Sequence, residues 1–68
     1  MNPLKTVRLA RKQSLASVAA AVGITNSNLS RIENGKQSPR PEVAERLAKH
    51  FGGEITELQI LYPERFNR

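Results

Sequence analysis

Apolar residues recur along this chain at helical spacing, in short blocks separated by polar or glycine-bearing joints. Leu4 and Val7 stand three apart within LKTVRLARK, with Arg8 and Arg11 alongside, so residues 4–12 are expected to form a short amphipathic helix behind Pro3. Leu15, Val18, Ala19 and Val22 fall at 0, +3, +4 and +7, one face of a second helix that Ser14 can cap with its hydroxyl. Gly23 stops this helix, because glycine takes the left-handed backbone conformation at little steric cost. Thr25 or Asn26 can cap a third helix running to about Asn34, where Asn34-Gly35 makes a second stop. The polar connection KQSPRP leads into a fourth helix that starts at Pro41, where the missing amide is not needed, with Glu42 at the positive helix end. Val43, Ala44, Leu47, Ala48 and Phe51 form its apolar face, and Gly52-Gly53 ends it. A last short helix, roughly 56–61, offers Leu58 and Leu61 with Ile55 just before it, and Tyr62-Pro63 closes it. LQILY is the one stretch with an alternative, a short strand in a dimer.

The third block departs from the pattern. In GITNSNLSRIENGK, residues 23–36, only Leu29 and Ile32 are large and apolar after Ile24, while Asn26, Ser27, Asn28, Ser30 and Arg31 are polar. Taken alone, such a run caps and solubilises a helix and leaves the arginine as a solvated charge. A helix held to the core by so few side chains nevertheless presents a broad polar face.

Charge changes the picture more than composition does. The 68 residues make one domain, 1–68, with a formal charge of +5. Residues 1–32 carry Lys5, Arg8, Arg11, Lys12 and Arg31 with no acid, whereas the remainder balances six bases against six glutamates. A surplus confined to one half points to an anionic partner, nucleic acid ahead of an acidic membrane. The absence of cysteine removes disulfides and thiolate zinc sites. No apolar run approaches the ~20 residues that cross a bilayer. The alanine-rich LASVAAAVGI, broken by Ser17 and Gly23, lacks the leucine-rich centre of a secretion signal. His50 is the only histidine, and the glutamates are scattered without a nucleophile or base, so neither a metal site nor an enzyme is expected, and no cofactor is implied.

Two short helices sharing a tight glycine turn match the helix-turn-helix, whose second helix can enter the DNA major groove. Ala19 lies at the crossing, where a small side chain permits close approach, and Val18, Val22, Ile24, Leu29 and Ile32 fill the angle. Over about residues 4–61 the chain resembles the Cro/C1-type (XRE) family of phage and bacterial repressors. The resemblance rests on Leu15-x3-Ala19-x3-Gly23-Ile24, the spacing onward to Leu29 and Ile32, IENGK at 32–36, Pro39, and LAKHFGG at 47–53.

The resemblance implies an all-α, compact five-helix lambda-repressor-like domain, with the helix-turn-helix at about 15–34 and a candidate dimerisation tail at 56–68. It implies base reading by Asn26, Ser27, Ser30 and Arg31: Asn pairs bidentately with adenine, Arg with guanine, and Ser donates or accepts. Ser14, Asn34, Lys36 and Arg40 are expected at phosphates, and Asn28 either there or capping the turn. The family often has Gln where this chain has Leu15, which leaves Ser14 and backbone amides to hold the phosphate. Arg8 and Glu33 resemble the family's partly buried pair tying the first helix to the end of the third. The expected function is sequence-specific transcriptional regulation, through a homodimer on double-stranded DNA, with Ile60, Tyr62 and Phe66 either available for the dimer contact or packed within the monomer. A chain of this length is expected to have no effector-binding domain and to act in the bacterial cytoplasm, on the nucleoid when bound. An antitoxin-like protein-interaction module that also binds DNA is the alternative, since one fold serves both.

Overall fold

In a computed structural model, which describes residues 2–65, five α-helices follow one another: α1 Pro3–Ala10, α2 Leu15–Val22, α3 Asn26–Glu33, α4 Pro41–His50 and α5 Glu57–Leu61, with a 3-10 turn at Pro63–Arg65. Each helix start is set by its sequence. The side chains of Asn2, Ser14, Thr25 and Thr56 accept from first-turn amides of α1, α2, α3 and α5, and Pro41 opens α4. Thr25, rather than Asn26, is therefore the α3 cap, and Asn26 is left as the first helical residue.

The ends of α1 to α4 share one hydrogen-bond pattern, the Schellman motif. In α2 the amides of Gly23 and Ile24 reach back to the carbonyls of Ala20 and Ala19, and the same pair of bonds closes α3 through Gly35 and Lys36 and α4 through Gly52 and Gly53. The motif needs a left-handed residue, and glycine supplies it at 23, 35 and 52 with φ of 76°, 71° and 62°. In α1 the corresponding residue is Lys12, at φ 56°. This is why α1 stops at Ala10 instead of reaching residue 12: the bonds from Lys12 to Leu9 and from Gln13 to Arg8 have already turned the chain.

The core lies where α2, α4 and α5 meet. Val18, Leu29, Ala44, Leu47, Phe51 and Ile55 are fully enclosed, with Leu4, Ala19, Val22, Ile32 and Ile60 almost so. α2 packs on α3 and on α4, α4 on α5, and α5 on α1, so α3 is backed by α2 through Val18, Ala19, Leu29 and Ile32. Ala19, 1% exposed, leaves room for the α2–α3 crossing.

Packing decides between the two expectations for Ile60: it is 2% exposed and lies in the core of the monomer instead of being free for a dimer contact, whereas Leu58 is 57% exposed. A helix advances about 100° per residue, so Leu58 and Ile60 lie on opposite sides, and Ile55 and Ile60 take the inward side. The strand reading of LQILY fails: residues 57–61 are helical, fixed by a capping box in which Gln59 answers Thr56. Tyr62 stays 41% exposed, and Phe66 lies outside the described residues.

Candidate nucleic-acid interface

The α3 helix is anchored on one side and open on the other. Leu29, Ile32 and Glu33 are buried, while Asn26, Ser27 and Arg31 are exposed and Ser30 is half-buried. The three buried positions fall within five residues, 29–33, and share one face of the helix, so Ser27 and Arg31 project from the opposite side while Asn26 is exposed at the first turn. Thr25 Oγ1 accepts from the amide of Asn28 at 3.1 Å, which fixes the first turn and answers one of the two expectations for Asn28: the cap is Thr25, and Asn28 supplies only its amide. Ser30 Oγ accepts from Asn34 Nδ2 at 3.4 Å, a loose contact that links a residue expected to read bases with one expected to touch phosphate.

The residues expected at phosphates fall into separate groups. Asn28 and Arg40 line a cleft of about 340 Å³ beside α3, between Ile24, Pro39 and Val43. Gln37 and Ser38 lie on the same cleft, and sequence reasoning passed over both, although the polar run KQSPRP contains them. Asn34 lines a different, more open cleft with Asn2 and Lys5, and so is not grouped with Arg40. Ser14 stands at the start of α2, where its Oγ accepts from the Ser17 amide at 3.0 Å. Lys36 is exposed in the loop after α3.

The basic surplus of the first half is partly consumed inside the fold. Arg8, 7% exposed, forms a bidentate fork with Glu33, 5% exposed: Nε donates to Oε2 at 2.7 Å and Nη2 to Oε1 at 3.1 Å. Its Nη1 donates to the Gln13 carbonyl at 2.9 Å. Arg11 turns to α4, where Nη2 donates to the Phe51 carbonyl at 2.9 Å while the guanidinium lies over the Phe51 ring and 3.4 Å from Glu54. Among the described residues, Lys5, Lys12 and Arg31 are then the cations of that half without an acidic partner, and Lys36 and Arg40 join them from the loop. No buried side-chain nitrogen or oxygen lacks a partner among the described residues, so the polar groups inside the fold are matched and those outside are free to meet solvent or a ligand.

An anchored two-helix corner whose second helix turns a polar side bearing Arg31 to solvent is the form of a DNA-binding helix-turn-helix domain. The chain belongs to the Cro/C1-type helix-turn-helix family HTH_3, which it matches over residues 4–58, a non-enzymatic family of DNA-binding domains. It is also 34% identical over 57 residues to the cryptic phage CTXphi transcriptional repressor RstR of Vibrio cholerae, a likeness covering 84% of this chain and 51% of that protein. The chain thus spans about half the length of the curated relative it matches. No solved structure matches it. No helix among the described residues is long and apolar enough to cross a membrane.

Proposed function

We propose that this domain is a sequence-specific transcriptional regulator of the phage-repressor kind, which occupies an operator by laying α3 in the major groove. The observation that carries this reading is the division of α3 into a buried Leu29–Ile32 side and an exposed side bearing Asn26, Ser27 and Arg31, with Ser30 at its edge. Short polar groups in the first turn allow deep entry, and each residue type offers donors or acceptors that complement base edges. Arg31 is the strongest reader of the set, because a planar guanidinium pairs bidentately with guanine. Ser14, Asn28, Asn34, Lys36 and Arg40 act at phosphates, which orient the domain and supply salt-dependent affinity. The likeness to the repressor RstR supports repression, and its incomplete coverage leaves that role a proposal.

Arg31→Ala tests the assignment. Binding to duplexes selected from a random pool by the wild-type protein should weaken by about 1–3 kcal/mol, with the loss confined to one base pair of the site. An equal loss on selected and scrambled duplexes would make Arg31 a phosphate ligand instead.

A further inference from the structure

The α1–α2 junction contains a polar linkage that the proposed DNA contacts do not use. Gln13 is half-buried just before the α2 cap, and its Oε1 lies 2.7 Å from Nε2 of His50 on the last turn of α4. Its backbone carbonyl accepts from Arg8 Nη1 at 2.9 Å, and its amide donates to the Arg8 carbonyl at 3.1 Å. Arg8 in turn forks Glu33, the last residue of α3. His50 is itself held edge-on to Phe51, ring centroids 4.8 Å apart, and Phe51 is fully enclosed. One continuous path of short contacts therefore runs from the core end of α4, through Gln13 and Arg8, to the C-terminal end of α3.

We propose that Gln13 is a positioning residue for the reading helix: pinned by His50, it presents its carbonyl to Arg8 and so fixes the orientation in which the Arg8 fork holds Glu33. The proposal rests on α3 being the helix that reads DNA. The physical reason lies in the two roles of one residue. A buried guanidinium has five N–H donors in a fixed plane, and Glu33 satisfies only two of them. The third recorded bond, to the Gln13 carbonyl, determines the tilt of that plane, because two bonds to one carboxylate still permit the pair to rock together. The carbonyl sits immediately after Lys12, whose left-handed backbone lacks the ease glycine would have there, so the loop needs an external hold. The Gln13 side chain provides it by reaching the rigid end of α4. Arg11, bonded to the Phe51 carbonyl, ties the same two helix ends together by a separate bond.

The test compares Gln13→Ala, Gln13→Glu and His50→Ala in the full chain, each first shown to be folded by circular dichroism. Gln13→Glu keeps an acceptor for His50 and is the rescue. The first readout is the Arg8 Nε–H resonance in free protein, which should move in Gln13→Ala and His50→Ala and return toward its wild-type position in Gln13→Glu. The second is the ratio of affinities for the pool-selected and a scrambled duplex. It should fall about fivefold in Gln13→Ala and in His50→Ala, with no further fall in the double variant, the non-additivity expected of residues in one path. An Arg8 resonance indifferent to both alanine variants would overturn the proposal, as would a ratio preserved in Gln13→Ala. A moved resonance in a protein whose wild type prefers no duplex would count against DNA reading by α3, leaving the coupling itself demonstrated.

Discussion

Glu33 shows how a single residue can look wrong for its surroundings and be required by them. An acid at the end of a helix that approaches DNA repels phosphate, unless its charge is already neutralised. Here both carboxylate oxygens are taken by Arg8, inside the fold. Glu33→Gln keeps the size and one acceptor but leaves the buried guanidinium without its counter-charge, which costs about 3 kcal/mol, and thermal unfolding should fall by 10 °C or more on the scale of roughly 4–8 °C per kcal/mol for a domain of this length. An unchanged melting temperature would show that the pair contributes no net stability. Lys12 offers the opposite change. It alone, among the described non-glycine residues, has positive φ, at the position where α2, α3 and α4 use glycine. Lys12→Gly should therefore raise stability, by about 0.5–1 kcal/mol in chemical denaturation, with no change in the slope against denaturant. The Arg8–Glu33 pairing was legible as a family resemblance, whereas the linkage from Gln13 to His50 was not, because neither residue carries a sequence signal and the two are brought together only when α1 and α4 dock.

At the scale of elements, what the sequence reveals depends on how much of a helix is decided locally. α2, α3 and α4 combine apolar spacing, a start signal and a glycine stop, and the structure follows those signals to within a residue. α1 and α5 do not. The end of α1 is set by a lysine adopting a conformation that nothing in its chemistry announces, and α5, five residues long, is too short for periodicity to decide between Leu58 and Ile60. The tertiary partner chose Ile60. The same logic makes the start of α3 sensitive, since a helix of eight residues draws little stability from its own hydrogen bonds. Thr25→Ala removes the side-chain acceptor for the Asn28 amide and should cost about 1 kcal/mol of stability. Thr25→Ser should restore it. Hydrogen exchange at the Asn28 amide localises the effect: faster exchange in the alanine variant alone marks a frayed first turn, and uniform exchange across α3 in all three proteins would show that packing, not the cap, fixes the helix start.

At the scale of the molecule, size constrains how the domain can address DNA. Its principal extents are 28 × 22 × 18 Å, while successive faces of the major groove on one side of the duplex lie about 34 Å apart. On the proposed reading one domain therefore covers a single half-site, and the few side chains assigned to base reading cannot specify a long sequence. A second copy related by a two-fold axis doubles the contacts and requires an inverted repeat in the DNA. With Ile60 enclosed in the core, the large apolar side chains exposed on the described surface are Leu9 on α1 and Leu58 and Tyr62 along α5, and the last two, one helical turn apart, form an area that two copies can share. We expect selection from a random pool to return inverted half-sites with centres about 10 base pairs apart, bound by two protein chains per duplex in sedimentation. Each phosphate neutralised by a second copy adds to the salt dependence, so log affinity against log salt should be about twice as steep on the full site as on an isolated half-site. A selected sequence without symmetry, bound one to one with the same slope on both duplexes, would mean that the domain reads DNA as a single copy, and the exposed side of α5 would then have no part in recognition.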